Sequence, residues 1–201
     1  MDRSLTIPSF AKERSQESTK VPGNMAVWVL IFAELSEFAL FFILFLVAKA
    51  HQPEMFHQGP ANLNTTAGLL NTLILISSSF CIARAVRAIR LNNRKASLNW
   101  LGLCLLGGAA YCGIKTWEYY WNEAQGINGR LDVFYSFYYY LTFNHLLHVL
   151  VGMCTVLWAT ARTYYNAYSA EDYEGLEATA CYWHMIDLAW IIIFPLLYVL
   201  R

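Results

Sequence analysis

Five long apolar stretches divide the chain, at residues 25–48, 66–86, 99–121, 134–161 and 178–200, with polar segments between them. The shortest has 21 residues. Wound as an α-helix at about 1.5 Å per residue, it reaches about 32 Å, enough to cross the hydrocarbon core of a bilayer. The pattern predicts an all-α integral membrane bundle of five transmembrane helices, residues 25–201. Residues 1–24 hold Arg3, Lys12, Arg14 and Lys20 among Ser, Thr and Glu. They read as a flexible cytoplasmic tail, and they lack the apolar core of a signal peptide. Segment 49–65, with His51, Pro53, His57 and Pro60, reads as a loop with surface histidines.

Every apolar stretch is interrupted by polar residues. The last, CYWHMIDLAWIIIFPLLYVLR, carries His184 and Asp187, three apart and so on one helical face, between Trp183 and Trp190. Pro195 is placed to kink its end. Glu34 and Glu37 lie near the middle of the first span, where two ionised carboxylates repel each other. Asn71 leads the run Thr72 and Ser77 to Ser79 in the second span, and Lys115 and Glu118 pair at three-residue spacing in the third. Gly102, Gly107, Gly108 and Gly113 suit close helix packing there, and the fourth span carries Asn144, His145 and His148.

An ionisable group in hydrocarbon is costly unless it faces a partner or a wet cavity. Counted from the span ends, Glu34, Glu37, His145, His148, His184 and Asp187 fall at roughly 9 to 18 Å from the cytoplasmic edge. Asn71, Lys115 and Glu118 fall at roughly 22 to 28 Å. The expectation is an inner layer forming one network, with a carboxylate of the first span or Asp187 bonded to a histidine, and a separate outer layer.

Composition narrows the class. The chain is 57% hydrophobic and 14% charged, well below the charge of soluble domains. Its formal net charge of zero gives no basic field for nucleic acid. Its five cysteines form no CxxC or zinc spacing and read as small buried hydrophobes. No metal site is expected in this chain. Five spans put the termini on opposite sides. With the N-terminus cytoplasmic, ten basic residues flank the inside and three, Lys49, Arg130 and Arg201, the outside. That asymmetry orients the chain N-terminus in and C-terminus out; the membrane expected for it is a bacterial inner membrane, which makes the C-terminus periplasmic.

The segments carry a resemblance. Tyr182-Trp183-His184, Asp187 and Trp190 are similar to the YWH-x-x-D-x-x-W of the last helix of haem–copper oxidase subunit III. Leu69 to Thr72 resembles its LLNT, and Glu118-Tyr119 its EY. Thr142 to Gly152 resembles TG-x-H-x-x-HV-x-x-G, with Asn144 a departure. Ala33-Glu34 followed by Phe38-Ala39 resembles the first-span motif of a small residue and a carboxylate, and Ser36-Glu37 repeats that dipeptide three residues on. The motifs occur in family order across residues 25–201. The chain resembles the last five of the family's seven helices. Lys115, the short length and the ending Phe194-Pro195-Leu196-Leu197-Tyr198 are most like the five-helix nitric-oxide-reductase-associated branch.

The resemblance implies an accessory subunit with no cofactor of its own, in a respiratory oxidase or nitric oxide reductase complex. It implies packing against a haem-bearing catalytic subunit, which holds haem with copper or non-haem iron, and support of assembly, stability or proton uptake there. The residues leave two rivals open. One is a small proton-coupled transporter using Glu34 and Asp187. The other is a haem protein using the i, i+3 pair His145 and His148.

Overall fold

The computed structural model describes residues 23–200, so the expected flexible tail lies almost wholly outside the described residues. The chain winds as α1 (Met25–His51), α2 (Pro53–Gln58), α3 (Thr65–Arg90), α4 (Arg94–Ala124), α5 (Val133–Tyr164) and α6 (Glu174–Phe194). Five of these are long and apolar enough to cross a membrane.

Four of the long helices start on the same device. Asn24, Asn64, Asn93 and Asp132 each accept a hydrogen bond from the backbone N–H three residues on, at 3.0 to 3.1 Å. Each such cap stabilises its helix by about 1 kcal/mol. The ends are equally regular. Asn92, Gly126 and Asn166 take positive φ, and the N–H that follows each returns to the carbonyl five residues back. That pattern satisfies carbonyls which a helix end otherwise leaves bare.

The segment 49–65 is not a plain loop. After α2 comes a 3-10 turn, Gly59–Asn62, and Phe56 is buried. Its ring packs on Phe45 of α1 at 4.9 Å and on Phe134 of α5 at 5.6 Å. A short apolar anchor explains the correction: with Phe56 held between two spans, the backbone around it orders as helix. His51 and His57 remain on the surface.

The helices pack in chain order around a ring: α3 on α4, α4 on α5, α5 on α6, and α6 back on α3. α1 lies outside the ring, against α6 and α5. Burial follows: 61% of the apolar window of the last span is buried, against 17% for α1. The buried positions of α4 are Ser97, Leu101, Cys104, Gly108, Tyr111, Lys115, Glu118 and Asn122. They alternate by four and three, the seam of a left-handed bundle. Outward-facing positions such as Leu103, Leu106 and Trp117 are apolar. In a bilayer the outside can be greasier than the core, so here the polar residues mark the inner face.

The glycines divide. A Cβ on Gly107 would meet the Ser78 side chain at 2.8 Å, and one on Gly152 would meet Ile186 at 2.6 Å. Gly108 is nearly as tight, against Met153 and Trp183. Gly102 and Gly113 have nothing within 4 Å, which corrects their assignment to tight packing. Gly107→Val should therefore lower the thermal midpoint of the purified chain, costing about 1–3 kcal/mol as an overpacked contact. Gly113→Ala should leave it unchanged or raise it, by up to about 1 kcal/mol from helix propensity. Circular dichroism melts of the two variants check this.

α6 ends at Phe194, and Pro195–Val199 winds as a π-helical turn instead of a simple kink. That turn buries Leu196, Leu197 and Tyr198, bringing the Tyr198 hydroxyl into the bundle.

Candidate functional site

The deepest polar cluster stands on α4. Lys115 and Glu118 are both 0% exposed, and the Lys115 ammonium donates to Glu118 Oε2 at 3.1 Å. It also donates to the hydroxyls of Tyr198 at 2.7 Å and Tyr138 at 3.3 Å. Those hydroxyls in turn donate to Glu118 Oε1 at 2.7 and 3.0 Å. Asn122, one turn further along α4, donates to the Tyr138 hydroxyl at 3.1 Å. Rings of Tyr119, Tyr138, Trp190 and Tyr198 lie 4.9 to 5.4 Å from the ammonium. Opposite charges, shared hydroxyls and ring faces together offset the large cost of burying the pair. The cluster ties α4, α5 and the C-terminal turn at one level.

Asn71, grouped with Lys115 and Glu118 by depth, is also 0% exposed, but its amide makes no hydrogen bond among the described residues. Depth along a helix fixes a level and leaves the direction around the bundle free, so residues of one level need not meet.

The six residues of the inner layer do not form one network. They form three sets, with Asp187 outside them. In the first set, His148 Nε2 lies 2.7 Å from Glu34 Oε2 and His148 Nδ1 lies 2.8 Å from the Asn144 carbonyl. The Asn144 amide donates to Glu37 Oε1 at 3.2 Å, so α1 and α5 are joined through Glu34, His148, Asn144 and Glu37. Glu34, Asn144 and His148 line a cleft of about 540 Å³ between α1, α5 and α6, together with Thr179 and Tyr182.

In the second set His145 is fully buried. Its Nδ1 lies 2.9 Å from the Tyr111 hydroxyl and its Nε2 lies 3.2 Å from the Ile186 carbonyl. Trp190 stands between this histidine and the Lys115 cluster, its ring 5.0 Å from that of His145 and 5.4 Å from the ammonium. In the third set His184 Nδ1 lies 2.5 Å from the Ser79 hydroxyl, on the outside of the α3–α6 contact.

Asp187 is the exception. It is 5% exposed, and although the Ser79 hydroxyl approaches its carboxylate, neither oxygen has a well-formed hydrogen bond among the described residues. Its expected histidine bond is therefore absent. The helical pitch carries His184 outward to Ser79 while Asp187 points inward, because three residues turn the chain through about 300° rather than a full circle.

Glu34 and His148 make the measurable pair. Their side chains are 23% and 13% exposed, so little solvent screens them. His148→Leu should cost about 1–3 kcal/mol by stranding Glu34, and His148→Gln should recover part of it by restoring a donor. Thermal melts of both variants beside Glu34→Gln check the coupling.

Tyr111, Tyr138, Tyr198 and Asn122 join these polar contacts without having been expected in them. A signal was present for Tyr111 and Asn122: with Lys115 and Glu118 they repeat by four, three and four along one face of α4. Nothing in the sequence placed Tyr138 or Tyr198 against that face. His145 and His148 do not share a ligand position either. All four of their ring nitrogens face protein partners. A haem iron at either histidine would have to displace one of these contacts, so the pair does not fit an axial site.

Comparison with known proteins places these features in a family. The family model described as cytochrome c oxidase subunit III matches residues 16–200. The cytochrome c oxidase subunit 3 of Synechocystis sp. is 32% identical over 177 residues, covering 87% of this chain and 74% of that relative. That of Thermostichus vulcanus is 36% identical over 134 residues, 65% of this chain and 64% of the relative. A probable cytochrome c oxidase subunit 3 of Nocardia farcinica is 26% identical over 203 residues, and the match spans the whole of both chains. With five helices able to span a bilayer and a family match over nearly its whole length, this chain is a multi-pass membrane protein of the cytochrome c oxidase subunit III family.

Proposed function

We propose that this chain is an accessory subunit of a haem–copper oxidoreductase. It packs beside a haem-bearing catalytic subunit that reduces oxygen or nitric oxide, and it supports the stability and proton uptake of that subunit in respiratory electron transport. The observation that carries the reading is the commitment of the bundle's interior. The buried Lys115–Glu118 pair and both histidines of α5 are consumed by contacts with protein groups. Such groups hold helices in register and leave the redox chemistry to a partner. The relatives from Synechocystis and Thermostichus, named as oxidase subunits, support the same reading. Lys115 and the Phe194 to Tyr198 ending resemble the nitric-oxide-reductase-associated branch, so both an oxygen-reducing and a nitric-oxide-reducing partner stand as readings.

Deleting the chain from its native membrane tests the reading. Terminal reductase activity should fall during sustained turnover, or the catalytic subunit should be lost from the membrane. Unchanged activity in the deletion strain would overturn it. The transporter reading needs Glu34 and Asp187 on one path. Glu34 lines the cleft beside α1, whereas Asp187 is buried in the bundle and does not line that cleft, and that separation weighs against a shared path.

The proposed orientation is N-terminus in the cytoplasm and C-terminus in the periplasm, in the inner membrane. Leu91, between α3 and α4, and Gln125, after α4, are exposed and lie at opposite ends of the bundle. In a chain with its five cysteines replaced, Leu91→Cys should react with a membrane-impermeant maleimide only after the membrane is opened. Gln125→Cys should react in intact cells. The reverse pattern would invert the topology.

A further inference from the structure

The α3–α6 surface presents a polar atom where a lipid-facing bundle should have none. His184 is exposed, and its Nδ1 lies against Ser79. Its Nε2 has no partner among the described residues. His184 opens an exposed stripe on α6 that continues through Leu188 and Ile191. His184 also lines a groove of about 400 Å³, together with the short side chains of Ala83, Ala180 and Cys181 and with Arg87, Arg90 and Glu177. Arg90 is ion-paired with Glu177. Arg87 is exposed, and its guanidinium has no ion pair or hydrogen bond among the described residues.

Resting on the subunit reading above, we infer that the α3–α6 groove docks the catalytic subunit. One transmembrane helix of that subunit would lie along it, with a hydrogen-bonding side chain opposite His184 and a carboxylate opposite Arg87. Two features favour a helix over a phospholipid. His184 is seven residues beyond Glu177, about 10 Å deeper along the helix axis than the Arg90–Glu177 pair. A phosphate held by Arg87 leaves only acyl chain beside the imidazole, which still lacks a partner. Short side chains at Ala83 and Ala180 also let a second helix approach closely. The outward face of α1 differs beyond Glu37: there it shows Leu40, Ile43, Leu44, Leu46 and Val47, a run suited to lipid.

Photocrosslinking in the native complex tests this. Benzoylphenylalanine is placed either at Leu188, beside the groove, or at Leu46 on α1, and the complex is purified through a tag on this chain. The expected result is an adduct with the haem-bearing subunit from position 188 and none from position 46. His184→Leu should weaken retention of that subunit about tenfold, and His184→Gln should restore it. If the untreated chain retains no haem-bearing subunit, the accessory reading itself fails. If that subunit is retained, any other crosslinking pattern overturns the docking face alone. That includes phospholipid or a second copy of this chain as the product from position 188, and capture of the haem-bearing subunit from position 46.

Discussion

Lys115→Met should be the most damaging single substitution in the bundle, costing about 3–5 kcal/mol. The ammonium is fully buried and supplies one of three donors to Glu118. Removing it leaves a carboxylate in a low-dielectric core with only two tyrosine hydroxyls. Glu118→Met should be similarly costly, because it strands the ammonium. The double variant should be more stable than Lys115→Met alone, since removing both charges removes the desolvation cost along with the attraction. A double-mutant cycle on thermal or denaturant unfolding in detergent reads this directly. Strictly additive losses would show that the two residues do not act as a pair.

Trp190→Ala should be nearly as severe, at about 3–5 kcal/mol. The ring is fully buried and packs against Tyr111 at 5.2 Å and His145 at 5.0 Å. Its indole N–H donates to the Thr72 hydroxyl at 2.9 Å, joining α6 to α3. It also faces the Lys115 ammonium, so truncation opens a cavity between two polar groups at once. Trp190→Phe should keep most of the packing and lose about 1 kcal/mol for the N–H bond. An unfolding midpoint for Trp190→Ala equal to that of Trp190→Phe would show that the ring volume contributes little.

Much of the architecture was legible because a membrane imposes a length. Each apolar stretch had to reach across the core, and the five stretches became five spans. Several polar residues inside them pointed inward for the same reason, as Lys115 and Glu118 do, whereas Glu37 and His184 stayed exposed. Azimuth was not legible. Asn71 was expected at the level of Lys115 and does not bond to it, and Asp187 was expected at the level of His145 and makes no bond to a histidine. A level is set by counting residues, but a contact also needs the rotation of both helices, which depends on packing around Gly107 and Gly152. Tyr138 shows a second limit. Beside Tyr139 and Tyr140 it reads as part of an interfacial belt, yet it is buried and bonded to Glu118. Aromatic enrichment marks the height of a membrane interface and not which ring turns inward. Phe56 shows a third: one buried ring ordered a segment whose two prolines suggested a loop.

The most direct test of the account is the composition of the complex purified from native membranes through a tag on this chain. A visible spectrum and intact-mass analysis of the same sample should show a haem-bearing membrane subunit at one copy per chain. The Soret band should remain with that subunit when the two are separated. A chain recovered only with copies of itself, or one that keeps a Soret band of its own, would contradict the account.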